Sequence, residues 1–120
     1  LFLPYQFKKQ NLNALEKFKN SKDCLRPNIT LANLASKLNT NSKYLSKTIN
    51  LHKKKSFSQY INDLRIEYLI EKLKTDNAYR NYTIKAISKE IGFNTPKAFS
   101  QAFFKKTGMH PSEYIKNIIS

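Results

Sequence analysis

A chain of 120 residues has room for one domain, or for two very small ones that share an element. Its apolar runs are only a few residues long, which excludes a transmembrane helix, and two glycines and four prolines argue against a turn-rich β fold. The net charge of +14 implies an anionic partner, nucleic acid first and an acidic membrane surface second. The single cysteine, Cys24, permits no internal disulfide and fits a reducing compartment. His52 and His110 lie far apart with no second ligand at metal spacing, so neither a zinc site nor any other cofactor is expected.

Residues 1–10 are apolar and then basic, and read as the remnant of a linker to a missing upstream region. The chain begins at Leu1 with nothing resembling a signal peptide, so it reads as a piece of a longer protein. A short helix over 11–20 would turn Leu12, Leu15 and Phe18 inward, and 21–28 is a loop closed by Pro27. Thr30 caps the next helix, with Leu31, Leu34, Ala35 and Leu38 on one side, and Asn39, Thr40 and Asn41 break it. A helix from about Ser42 carries Leu45 and Ile49 inward and ends before Lys53, Lys54 and Lys55.

The longest element is expected over 57–74, capped by Ser56 and spanning roughly 27 Å. Tyr60, Ile61, Leu64, Tyr68, Leu69 and Leu73 form its apolar stripe, while Asp63, Glu67 and Glu71 step along another face. After a polar connection at 75–82, Thr83 caps a helix with Ile84, Ile87 and Ile91 inward, and Gly92 supplies its closing turn. Asn94 or Thr95 starts a further helix with Pro96 in its first turn, Phe99 and Phe103 inward, and Gly108 at its end. Pro111 opens the last helix, in which Tyr114, Ile115 and Ile118 are the apolar positions. The expectation is an all-α fold of about seven helices.

Residues 30–61 repeat at 83–115 with one residue inserted at Pro96. Thr30 matches Thr83, Leu34 Ile87, Leu38 Ile91, Asn41 Asn94, Leu45 Phe99, Ile49 Phe103 and Ile61 Ile115. Each copy is a helix, a short polar turn and a second helix, the pattern of a helix-turn-helix that sets its second helix in the DNA major groove. Charge agrees with this. No acid lies between Asp23 and Asp63 or between Glu90 and Glu113, although lysines are frequent in both intervals. The outer side of the first copy's second helix carries Lys43, Tyr44, Ser46, Lys47 and Asn50; that of the second copy carries Lys97, Ser100 and Gln101. Lysine suits guanine edges or phosphate, glutamine pairs with adenine, and serine bonds to either. One strut between two such units would let them reach successive major grooves, about 34 Å apart.

The segment Ile84 to Tyr114 resembles the signature of the AraC/XylS family of bacterial transcription regulators through Ile87, Ile91-Gly92-Phe93, Phe99, Phe103 to Lys106, Gly108, Pro111 and Tyr114. Leu34 to Leu38, Tyr44-Leu45-Ser46 and Ser56 to Arg65 resemble the same family's first unit. The resemblance implies two helix-turn-helix units joined by a long helix: residues 11–120 as the DNA-binding domain, units at about 11–56 and 75–120, linker helix 57–74. It also implies double-stranded promoter DNA as partner, activation of transcription with RNA polymerase as a further partner, and a cytoplasmic, nucleoid-associated location. A sensing or dimerising region would lie upstream, able to anchor the whole protein in a membrane, and the isolated domain would be a monomer. Base-reading positions carry over to Lys43, Ser46, Lys47, Pro96, Lys97, Ser100 and Gln101. Backbone contacts are expected from Asn41, Tyr44, Asn50, Lys53, Lys54, Asn94, Lys105 and Lys106, with helix N-termini near Asn41 and Asn94 holding phosphates. The sequence departs from the family pattern at Lys53-Lys54-Lys55, where a glycine is frequent, at Ser88, at Ile115, and at Pro96, which has no N–H to donate.

Other classes fit less well. No Gly-rich phosphate loop and no Ser/His/Asp set is present for an enzyme. An RNA or single-strand module would expose aromatics for stacking, whereas the Phe and Tyr residues mostly occupy expected core positions, Tyr44 excepted. A membrane-surface helix would gather its basic residues on one amphipathic helix rather than in two compact repeats.

Overall fold

A computed structural model describes residues 5–119. Its seven α-helices are α1 (Tyr5–Asn20), α2 (Leu31–Lys37), α3 (Ser42–Lys53), α4 (Phe57–Thr75), α5 (Ile84–Glu90), α6 (Pro96–Thr107) and α7 (Pro111–Ile119). Short 3₁₀ turns at Asp23–Leu25 and Asn77–Asn81 complete the order, and no strand occurs among the described residues. α1 is helical from the first described residue, Tyr5, so 5–10 continue the helix expected only from Asn11; residues 1–4 of the expected linker lie outside the described residues. The chain divides into two compact units, one of Leu1–Cys24 with Ile29–Ile61, the other of Leu25–Asn28 with Asn62–Ser120.

In the first unit Leu15, Phe18, Leu34, Ala35, Leu45, Ile49, Tyr60 and Ile61 are buried, the periodic positions of four amphipathic segments. The periodicity does not show that Thr48 and Asn11 are buried with them. The Asn11 amide donates to Thr48 Oγ1 at 3.5 Å, which pairs two polar groups that would be costly alone. At the start of α4, Ser56 and Gln59 form a reciprocal capping box: Gln59 N–H donates to Ser56 Oγ (3.2 Å) and Ser56 N–H to Gln59 Oε1 (3.0 Å).

The second unit packs Ile66, Leu69 and Leu73 of α4 with Tyr79, Ile87, Ile91, Phe93, Phe99, Phe103 and Ile115. Ile66 and Arg65 were not on the expected stripe of α4. They are buried within the second unit, Ile66 in its apolar core and Arg65 between Phe93 and the Arg26 carbonyl. Arg65 is 8% exposed, lies over the Phe93 ring at 5.3 Å, and donates from Nη2 to the Arg26 carbonyl at 2.9 Å. That bond, the packing of Leu25 on the core, and a 3.3 Å bond from Asn94 Nδ2 to Asn28 Oδ1 bind the strap Leu25–Asn28 into the second unit.

Candidate nucleic-acid interface

The two helix-turn-helix units are built by the same local chemistry. Thr30 accepts from Asn33 N–H at 3.1 Å and Thr83 from Ala86 N–H at 3.0 Å, each capping the first helix of its unit. The first helices then close in the same way. Asn39 N–H bonds Ser36 O and Thr40 N–H bonds Ala35 O; Gly92 N–H bonds Lys89 O and Phe93 N–H bonds Ser88 O. The residue in the left-handed region is Asn39 (φ 58) in one turn and Gly92 (φ 94) in the other. Asparagine tolerates that backbone, so the first turn needs no glycine. Gly92 has a second constraint: a Cβ there would stand 2.6 Å from the Leu25 carbonyl oxygen of the strap.

Capping also fixes the register of the second helices. Asn41 accepts from Tyr44 N–H and caps α3, while Thr95, not Asn94, accepts from Ala98 N–H and caps α6. The extra residue of the second copy therefore lies in its turn rather than at Pro96, and Pro96 corresponds to Ser42. As the first residue of α6, Pro96 gives up an N–H that no helical carbonyl would accept. Both second helices end on a left-handed residue at matching places, Lys54 (φ 56) and Gly108 (φ 80). Lysine pays strain there that glycine does not, so Lys54→Gly is expected to stabilise the first unit by about 0.5–1 kcal/mol in chemical denaturation. An unchanged or lower midpoint would show that the strain is already relieved.

Leu45 and Ile49 anchor α3, and Phe99 and Phe103 anchor α6, all four fully buried. Opposite these anchors, Lys43 and Asn50 are exposed on α3, with Tyr44, Ser46 and Lys47 partly so; Lys43, Lys47 and Asn50 run along one face. On α6, Pro96, Lys97, Gln101 and Lys105 are exposed and Ser100 is partly exposed. Asn41, Lys54 and Asn94 are exposed and Lys53 is half-buried. Asn94 differs from Asn41 in that its amide is engaged by the strap. Lys106 also stands apart: its Nζ lies 3.1 Å from Glu67 Oε2 and 3.9 Å from Asp63 Oδ2 of α4, which balance its charge within the unit.

Sequence reasoning assigned the aromatics mainly to the core, and two exceptions emerge. Tyr82 is 41% exposed and Phe104, in the last turn of α6, is 47% exposed. A helical wheel would have found Phe104, seven residues after Lys97 and three after Gln101. Among the described residues no cluster of three or more His, Cys, Asp or Glu could hold a metal, and no helix is long and apolar enough to cross a membrane.

Two tandem helix-turn-helix units, each presenting an acid-free second helix, define a double helix-turn-helix DNA-binding domain. A family model described as a helix-turn-helix domain matches residues 34–117. The uncharacterized transcriptional regulatory protein YesN of Bacillus subtilis (strain 168) is 37% identical over 75 residues, which are 62% of this chain but 20% of YesN. The C-terminal domain of AraT, a response regulator from Geobacillus stearothermophilus, is similar with a TM-score of 0.73 and 28% identity over 90% of this chain and 84% of that domain. The DNA-binding domain of the global transcriptional factor AdpA, solved in complex with a target DNA, shares the fold with a TM-score of 0.72 and 15% identity, over 90% of this chain and 91% of that one. The chain belongs to the AraC family of helix-turn-helix DNA-binding domains of transcription regulators.

Proposed function

We propose that this domain recognises an asymmetric site in double-stranded promoter DNA by placing α3 and α6 in successive major grooves. Lys43, Ser46 and Lys47 read bases for the first unit, and Lys97, Ser100 and Gln101 with the Pro96 turn read them for the second. Asn41, Tyr44, Asn50, Lys53, Lys54, Asn94 and Lys105 grip the backbone. Lys106 joins them by exchanging its carboxylate partners for phosphate. The observation that carries this reading is the pair of second helices, each anchored by two buried apolar residues and bearing no acid on its outer face. The target DNA bound by AdpA supports the same use of this fold.

In the whole protein this domain would follow a sensing or dimerising region, activate transcription in contact with RNA polymerase, and work in the cytoplasm; alone it would be a monomer. Lys47→Ala is expected to weaken specific binding by about 1–3 kcal/mol and to relax preference at one base position. Titration of the variant against the selected site and its point-substituted versions checks this. A loss equal on all sequences would make Lys47 a phosphate contact instead.

A further inference from the structure

The outer face of α6 holds one side chain that the proposed reading does not use. At 100° per residue, Lys97, Ser100, Gln101 and Phe104 fall within about 100° of arc on the side of α6 turned away from the buried Phe99, with Phe104 in the last turn of the helix. The Phe104 ring is 47% exposed yet ordered by a partner. It stacks on His110 at 4.8 Å between centroids with 33° between planes, and His110 is itself exposed just before α7. Phe104 lies outside the buried core cluster, and the corresponding position of α3 is the polar Asn50. An aromatic ring held at the C-terminal end of a face otherwise made of lysine, serine and glutamine matches one feature of the major groove. The thymine C5-methyl is the apolar group among its hydrogen-bonding edges, and phenylalanine is one of the side chains that contact it.

We propose that Phe104 is a specificity-determining residue of the second unit, reading a thymine methyl in the major groove while His110 holds its ring in position. The inference rests on the proposed DNA reading and deepens it. It predicts that the DNA block read by α6 contains a thymine whose methyl group matters and that no hydrogen-bonding residue of α6 accounts for the preference.

The test replaces each thymine of the selected duplex, one at a time, by deoxyuridine, which removes the methyl and leaves every hydrogen-bonding edge intact. The parent domain should bind about fourfold more weakly at one position, the worth of about one buried methyl group. Phe104→Ala should be indifferent to uracil at that position, and Phe104→Leu should keep part of the preference. Melting curves of both variants, expected to match the parent because the side chain is half-exposed, show that the unit is intact. The same uracil profile in the parent and in Phe104→Ala, or a loss spread equally over all duplexes, would overturn the role of Phe104 while leaving specific binding intact. Absence of any sequence preference in the parent would overturn the DNA reading itself, and this inference with it.

Discussion

Phe99→Ala should lower the unfolding free energy by about 3–5 kcal/mol, the cost of emptying a fully buried aromatic site. Phe99 is the centre of the second unit's aromatic packing. Its ring lies 5.7 Å from Phe93 and 5.8 Å from Phe103, and Phe103 in turn meets Tyr114 of α7 edge-on at 5.3 Å. These contacts fix α6 against α7 and against the turn that precedes it. Truncation should therefore destabilise the unit and weaken DNA binding together. Urea unfolding followed by circular dichroism measures the first effect. An unchanged midpoint would mean that α6 is not anchored through this residue.

Gly92→Ala should cost about 2–4 kcal/mol, from two sources that add. A left-handed backbone at φ 94 is strained for any residue with a Cβ, worth about 1–3 kcal/mol. The new Cβ would also stand 2.6 Å from the Leu25 oxygen, 2.9 Å from the Leu25 carbonyl carbon and 3.0 Å from Arg65 Nε. Two of these are backbone atoms of the strap, and Arg65 is the side chain that holds the strap through Arg26 O. Asn39→Ala, at the matching place in the first unit, is the control: the alanine there meets the left-handed cost of about 1 kcal/mol without the strap. Equal losses for the two variants in thermal unfolding would show that the strap does not press on the Gly92 turn.

Apolar periodicity together with cap and turn residues makes the architecture legible in the sequence. The anchors Leu45, Ile49, Phe99 and Phe103, the caps Thr30 and Thr83, and the turns at Asn39 and Gly92 all occupy the places that apolar spacing and turn chemistry assign them. Local rules failed where the cause is a partner distant in sequence. Arg65 is buried with the Arg26 carbonyl accepting its hydrogen bond, and Tyr79 is buried in a stretch that reads as polar connection. Thr48 and Asn11 are buried by each other's company. The helical state of 5–10 is obscured in the sequence by the change from apolar to basic composition at 1–10, which imitates a linker. For the interface, helical spacing identified the outward lysines and polar residues. It could not show that Lys106 faces Glu67 and Asp63, nor that Asn94 is taken up by Asn28, because both depend on tertiary neighbours.

Selection of bound duplexes from a random library, at low and at moderate salt, tests directly whether both second helices read bases. The expected result is an asymmetric motif of two conserved blocks about one helical turn apart, retained as salt rises although affinity falls. A single block would show that one unit only grips the backbone. Binding that vanishes with salt and enriches no motif would contradict sequence reading by either helix.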